Sequence, residues 1–420
     1  MLSCFFRNIL LNLFELRVMK KWIWLGLVVM VSCTTSAQKV SVSELKTHIG
    51  FLASDELKGR GTGTPEERKA ATYLAEYFKK LGLKPKGTEG YFQAFQAPLD
   101  TVHVLNALNV VAFLDNQAEQ TIVIGAHYDH LGEGFQRGSL DPSGRGKIHN
   151  GADDNASGTA GVLEMARLLS TNKIKEKHNY LFICFSAEEM GLIGSKYFVN
   201  HPTIDLSKVK AMINFDMIGR FEEKRGVTIG GWGTSSTWSS ILPPVLAKAN
   251  MKVNVDSSGA GASDHTSFYT KKIPVLYFFT GVHGDYHKPS DDIEWIQFEG
   301  QAKVLEVVNQ IVMALDQVPG VLPFKETPLP VSQSMSFKVT MGVLLDYSFQ
   351  GPGIKVDGVT ANRPAQKAGV QEGDLILRLG AYPLQTIYDY MGALGKFEKG
   401  QTTEIEVQRG KEKIILPIAF

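Results

Sequence analysis

The 420-residue chain has three cysteines, Cys4, Cys33 and Cys184, too few for a disulfide framework. It lacks an excess of either charge: 44 Lys+Arg stand against 43 Asp+Glu, a formal net charge of +1. Without a basic excess there is no electrostatic footprint for nucleic acid, and without an acidic block there is no solvating tail. There is no internal repeat and no low-complexity tract, so neither a solenoid nor a compositionally disordered chain is indicated. What remains is ordinary globular composition, 44% hydrophobic and 21% charged, at a length sufficient for two or three domains.

The first 37 residues are unlike the rest. Lys20-Lys21 precede an apolar run, Trp22 to Val31, and then the small residues Ser32-Cys33-Thr34-Thr35-Ser36-Ala37. This is the order of a secretory signal, with Met19 as its natural start, and the run is short for a membrane span. Cleavage after Ala37 predicts a soluble exported protein, periplasmic or secreted. Cleavage before Cys33 would instead leave a lipidated cysteine as its membrane attachment, and a longer anchor over 1–31 is a third reading. Removing Arg7, Arg17, Lys20 and Lys21 against Glu15 alone turns the net charge from +1 to −2. Cys184 sits in the apolar run 181–185, where an inert buried thiol is expected.

After the signal, apolar strands alternate with amphipathic helices. Thr64-Pro65-Glu66-Glu67 opens a helix with a capping box, an apolar face follows from Ala70 to Leu81, and Gly82 ends it. Strand-like runs fall at 108–114, 121–125, 180–185, 211–215, 227–230 and 275–279. Helical patterns fall at 157–169, 235–249 (interrupted by Pro243-Pro244) and 298–315. The expectation is an α/β domain over 38–318, with a central, mostly parallel mixed sheet flanked by helices. Pro319, Pro323, Pro328 and Pro330 then predict a stiff linker over 319–335, and a small β-rich domain over 336–420.

Polar residues gather just beyond the ends of the first domain's strands. His127-Tyr128-Asp129-His130 follows one run, and Ser186-Ala187-Glu188-Glu189 another. Asp216 ends a third, Asp153-Asp154-Asn155 opens a helix, and His287 lies in a late loop. Each piece alone has a bland reading: a surface pair, a capped turn, an exposed helix face. Together they predict a cation site beyond the carboxyl ends of the strands, because crowded carboxylates repel one another unless a metal compensates them.

His127-Tyr128-Asp129, the stretch 151–158, the stretch 185–191, Asn214-Phe215-Asp216-Met217 and Tyr286-His287 resemble the five blocks of the bacterial co-catalytic dizinc aminopeptidases. That clan also holds glutamate carboxypeptidase and glutaminyl cyclase relatives. The match spans about residues 42–316, and the stretch 52–60, ending in Arg60, resembles a segment found before the first helix of many members. The resemblance implies a zinc-exopeptidase fold and two Zn2+ ions per subunit. Asp154 would bridge them, His127 and Asp216 would complete one site, and Glu189 and His287 the other. It also implies a cis peptide at Asp154–Asn155, Glu188 as general base, and Asp129 holding the His127 ring. Asp264 and His265 are expected near the substrate, and Tyr286 is the expected oxyanion donor. The loop 259–262 has no tyrosine to compete for that role. The substrates implied are peptides with a free N-terminus. Alternatives are a one-zinc glutaminyl cyclase-like acyl transferase and a non-catalytic peptide-binding protein on the same fold.

In the second domain, Met341-Gly342-Val343-Leu344 resembles the carboxylate-binding loop of a PDZ domain, as do the stretches 363–370 and 372–377. The resemblance implies capture of a peptide or protein C-terminus by strand addition. Leu375, Leu377 and Leu379 are expected to alternate on a half-buried strand.

Overall fold

A computed structural model of the chain describes residues 39–420 except 100–102, 136, 137, 140, 142, 328–338, 346–348, 350, 360, 361 and 386. The expected signal, both its cleavage points and Cys33 lie outside the described residues. Among the described residues no helix is long and apolar enough to cross a membrane.

The first domain is built on a nine-stranded mixed sheet. Its centre is four parallel strands: β5 (Asn179–Phe185), β4 (Thr121–His127), β6 (Val209–Phe215) and β9 (Val275–Phe279). On one side β3 (Val104–Leu114) pairs antiparallel with β5 and carries β1 (Lys84–Pro85) and β2 (Phe92–Pro98). On the other, β7 (Val227–Gly230) pairs antiparallel with β9 and parallel with β8 (Val253–Val255).

Every residue of β4, β5 and β6 is buried, because both faces of the sheet are covered. Alternate side chains serve the two faces. Ile122, Ile124, Phe182, Cys184, Ile213 and Phe215 join one core with residues of α1 (Val42–Leu52), α2 (Pro65–Lys80), α3 (Gly158–Thr171), α5 (Trp238–Ala249) and α7 (Phe298–Asp316). Val123, Leu181, Ile183, Phe185 and Met212 join the opposite core, with Phe198 and Val199 of α4 (Ile193–Asn200) and Phe268 of α6 (His265–Thr270). Each fully buried side chain of this size stabilises the fold by about 1.5–3 kcal/mol.

The helix expected after Thr64 forms as α2. Thr64 accepts from Glu67 N, but the Glu67 carboxylate reaches back to Gly63 N rather than to the cap's own amide. Its other oxygen binds the Ser186 hydroxyl, at the end of β5. Burial, with Asp129 nearby, pushes the Glu67 carboxyl up to about 8. Helix α5 runs through Pro243-Pro244, starting at Trp238 rather than 235. Trp238 is wholly buried and donates its indole N–H to Thr234, so it is core and does not line a pocket. The start of the proline-rich run is docked: Phe324 bridges Ser235, Thr327 accepts from Gly259 N, and Lys210 donates to the carbonyls of Val318 and Gly320. Strands β2 and β8 and helices α1 and α4 were not read from the sequence.

The second sheet, in the order β10 (Val343–Leu345), β11 (Ile354–Val359), β12 (Leu375–Leu379), β14 (Thr402–Arg409), β15 (Glu412–Ala419), has its own core around Met341, Val356, Ile376, Ile405 and Val407. A short strand β13 (Tyr382–Pro383) pairs with β12, and two helices, α8 (Pro364–Ala368) and α9 (Ile387–Leu394), complete the domain. The expected alternation of Leu375, Leu377 and Leu379 is broken. A register shift against β14 between Ile376 and Arg378 buries Ile376 and Leu379 and leaves Leu375 and Leu377 half-buried. Asp374 in the preceding turn is buried and accepts from Nε and Nη2 of Arg409, each at 2.7 Å.

Cys184 is wholly buried and burial pushes its thiol up, so it reacts slowly. Alkylation of the native protein, located by peptide mass spectrometry, is expected to spare Cys184 until denaturant is added. Rapid native labelling there would contradict the packing described.

Candidate metal centre

The four parallel strands point their carboxyl ends the same way, and each delivers part of one site. β4 ends on His127. β5 runs on through Ser186 and Ala187 to Glu188 and Glu189. β6 is followed by Asp216, and β9 by the loop that carries His287. The backbone turns sharply at three of these places: Ala187 (φ 56°), Met217 (φ 51°) and His287 (φ 55°) are left-handed although none is glycine. Such conformations persist only where the surroundings hold them, and they gather at functional sites.

Asp154 stands between two imidazoles. Its Oδ1 is 3.4 Å from Nε2 of His127, and its Oδ2 is 3.1 Å from Nε2 of His287. The His127 Nε2 also faces Oδ1 of Asp216 at 3.5 Å and Oε2 of Glu188 at 3.9 Å. The His287 Nε2 also faces Oε2 of Glu189 at 3.1 Å. The Asp154–Asn155 peptide is cis, as expected.

The tautomers decide what this arrangement can hold. His287 Nδ1 is 2.8 Å from the carbonyl of Gly138, so Nδ1 carries the proton and Nε2 presents a lone pair. His127 Nδ1 is 3.2 Å from the carbonyl of Asp129, with the same consequence. In each cluster Nε2 therefore points at carboxylate oxygens, a contact that becomes favourable when Nε2 either carries a proton or shares a bound cation with them. Two His/Asp/Glu groupings could hold an ion, His127 with Glu188 and Asp216, and His130 with Asp154 and Glu189; their histidines and aspartates are buried and their glutamates half-buried. His287 adds a third imidazole beside Asp154 and Glu189, and these donors are those zinc takes.

Asp129 orients the His127 ring through its backbone carbonyl, not its carboxylate, which is 3.8 Å from Nδ1. The carboxylate instead accepts from Glu188 N at 3.1 Å and from the Thr62 hydroxyl at 3.0 Å, tying the two ligand strands together. Burial holds the Glu188 carboxyl well above the usual range. His127 opposes this, while Glu189, Asp216 and Asp264 add to it. Burial would also raise Glu189, but His287 and His130 outweigh it and hold that carboxyl low. The adjacent glutamates thus sit in opposite electrostatic settings.

The loop 151–155 is fastened on both sides. The Asn155 amide donates to the carbonyl of Phe215, and its oxygen accepts from Gly158 N and Met217 N, which fixes Asp154 against the Asp216 strand. Asp291 Oδ2 accepts from Asp153 N and Asp154 N, each at 3.0 Å, and its carbonyl accepts from Ala152 N. The other Asp291 oxygen meets Arg220 at 3.1 Å. Asp153 turns away from Asp154, to His283 at 3.1 Å and Gly219 N at 2.7 Å. Gly158 has no room for a side chain: a Cβ there would stand 2.7 Å from the Phe215 carbonyl.

Asp264 and His265, at the start of α6, are both buried. Burial raises Asp264 to about 7 and lowers His265 to about 3. The Tyr286 ring stacks on His287, centroids 3.9 Å apart. Sequence reasoning missed three contributors. His130 contacts Glu189. Tyr277, on β9, stacks on His265 at 4.4 Å, and its hydroxyl is pushed well above its ordinary value by burial, then by Asp216, Glu188 and Asp154. Asp291, at the end of the His287 loop, is the third. Strand alternation offered a signal for Tyr277, since Tyr277 and Phe279 are the half-exposed residues of β9.

Asp291→Ala removes the acceptor for two amides beside Asp154. It is expected to weaken zinc binding roughly 10–100-fold, read by competition with a chromophoric chelator. Unchanged affinity would show that the loop holds its shape without this clamp.

Residues 109–312 match the model of Peptidase family M28, and residues 334–419 match that of the PDZ domain. The chain is 32% identical over 382 residues to leupeptin-inactivating enzyme 1 of Streptomyces exfoliatus, covering 86% of this chain and 81% of that one. It is 34% identical over 176 residues to aminopeptidase YwaD of Bacillus subtilis, covering 39% and 37%. A solved glutaminyl cyclase from Bacteroides thetaiotaomicron shares the fold, with a TM-score of 0.55 at 18% identity over 66% of this chain and 99% of that one. With the extent of these matches and a site made of two linked His/Asp/Glu clusters, the chain belongs to Peptidase family M28, carrying a PDZ domain at its C-terminal end.

Proposed function

We propose that the chain is an exported zinc aminopeptidase that removes N-terminal residues from peptides. The observation that carries this reading is the Asp154 carboxylate, which turns one oxygen to each cluster while Glu188 stands beside them as a further carboxylate. His127, Asp154 and Asp216 would hold one ion, and Asp154, Glu189 and His287 the other. When bound, the two ions supply Lewis acidity, lowering the pKa of a shared water and polarising the scissile carbonyl.

The protein's own groups do the rest. Glu188 accepts the water's proton and later delivers it to the leaving amine. The backbone of Glu188 is fixed by Asp129, so its carboxyl has a defined position over the site. Tyr286 remains the proposed oxyanion donor, supported by its ring stacking on His287. Tyr277 is its rival, since the site carboxylates act directly on its hydroxyl.

The expected segments, a signal over 1–37, a catalytic domain over 38–318, a linker over 319–335 and a PDZ domain over 336–420, are part of this reading. The PDZ domain would take a peptide or protein C-terminus beside its edge strand β10, whose approach carries Gly342 at φ 74°.

The B. thetaiotaomicron fold match is to a cyclase, so the fold alone does not separate hydrolysis from acyl transfer. The second complete cluster favours hydrolysis, because a one-zinc reaction has no use for it. Zinc-loaded protein incubated with N-free and N-blocked peptides is expected to release free amino acids from the N-free set only. Ammonia release from N-terminal glutamine would support the cyclase reading, and no turnover with zinc bound would support a binding protein. Glu188→Gln is expected to keep both ions and lower kcat about 10²–10⁴-fold. Activity retained with full metal content would remove Glu188 from its role. Between Tyr286→Phe and Tyr277→Phe, the larger fall in kcat at similar KM identifies the oxyanion donor.

A further inference from the structure

His130 has no part in the reaction described above, yet it lies against one of the residues that carry it. The side chain is completely buried. Its Nδ1 is 2.7 Å from Oε1 of Glu189, while its Nε2 has no hydrogen-bond partner among the described residues. The ring stands nearly perpendicular to that of His287, centroids 5.8 Å apart. The space it occupies exists because residue 151 is glycine: a Cβ there would lie 2.5 Å from the His130 ring. The backbone is fixed too, since His130 N donates to the carbonyl of Arg60.

The hydrogen-bond inventory assigns its tautomer. The Glu189 carboxylate accepts only, so a 2.7 Å contact requires the proton on Nδ1 of His130. The other tautomer would bury an N–H at Nε2 with nothing to receive it and leave two acceptors facing each other at Nδ1. His127 and His287 are the reverse case, because both spend Nδ1–H on a backbone carbonyl and offer a lone pair to the carboxylates. Of the three histidines, His130 alone turns a donor towards a site carboxylate. It therefore differs in kind from the ligands beside it, although its Nδ1 is also 3.9 Å from Oδ2 of Asp154.

The consequence falls on Glu189, whose two oxygens are separately engaged: Oε1 by His130, and Oε2 by the space His287 also faces at 3.1 Å. We propose that His130 is a positioning residue that holds Oε1 of Glu189 by an Nδ1–H hydrogen bond, so that Glu189 presents only Oε2 to the second ion. A carboxylate that binds through both oxygens fills two coordination positions, and one restrained to a single oxygen leaves a position for water or the substrate carbonyl. The proposal rests on the two-ion reading of this site.

The test compares wild type with His130→Asn, whose amide N–H can replace Nδ1–H, and His130→Phe, which keeps a ring without a donor. Zinc is titrated against a chromophoric chelator, and the visible absorption of the Co2+-loaded protein reports coordination number, weakening as that number rises. In His130→Phe one of the two ions is expected to bind roughly 10–100-fold more weakly. The other should bind as in wild type, and the Co2+ absorption should weaken. His130→Asn is expected to recover both. Wild-type affinity and spectrum in His130→Phe would overturn the proposal, as would a loss that His130→Asn fails to recover. Where the phenylalanine ring prevents folding, as judged by circular dichroism, His130→Ala takes its place in the same comparison. A wild-type chain that binds fewer than two ions would instead overturn the two-ion reading, and this proposal with it.

Discussion

The first domain is governed by the cost of placing many carboxylates in one buried site. Asp129, Asp153, Asp154, Asp216, Asp264 and Asp291 are all buried, and the side chains of Glu188 and Glu189 are only 11% and 6% exposed. Charges of one sign at such burial raise one another's pKa and oppose folding unless something compensates them. Protein cations do part of this. Arg220 meets Asp291 and Asp285, and Arg60 is fully buried within reach of the fields of Asp129, Asp154, Asp291 and Glu189. His127 and His287 compensate the carboxylates only while protonated; as neutral metal ligands they bring no charge of their own. Two divalent ions complete the balance.

The architecture supports that balance through backbone contacts more than through ion pairs. Arg60 spends its guanidinium on carbonyls: Tyr128, Asn150 and Gly151 beside the ligand segments, and Leu52 at the end of α1. One side chain thereby binds the end of β4 to the start of the Asp154 loop. Asn155 binds that loop to the end of β6, and Asp291 binds it to the loop of His287. Ligands that are far apart in sequence are fixed against one another by a few hydrogen bonds at strand ends. The buried parallel strands behind them cannot shift without disturbing both cores.

Much of this was legible in the sequence for a physical reason. Strands buried on both faces read as apolar runs, so 180–185 and, but for Asn214, 211–215 are legible, and polar residues directly after them mark the site. The ligand set followed from family resemblance, and the distances around Asp154 are compatible with it. What escaped were elements with mixed burial. β2 alternates at the sheet's margin, α4 is only eight residues long, and the break in β12 arises from pairing with β14, which no local pattern encodes. His130 and Asp291 escaped because their function is a contact with residues far away in the chain. Which atom of Asp129 meets the His127 ring is likewise a matter of distant contacts, since its carboxylate is engaged by Thr62 and the Glu188 amide. Resemblance alone marks the segment 52–60, and the fold shows what its last residue does: Arg60 fastens four backbone carbonyls.

One tension follows from the same constraint. A site that depends on bound cations for its charge balance should lose stability when they leave, and stability and metal content should move together. The most direct measurement is native mass spectrometry of the purified chain with thermal unfolding recorded alongside, before and after removal of metal by chelator. The account predicts two zinc ions per chain, a lower unfolding temperature without them, and recovery on adding two equivalents back. A chain that unfolds at the same temperature with and without chelator, and retains no zinc, would contradict it.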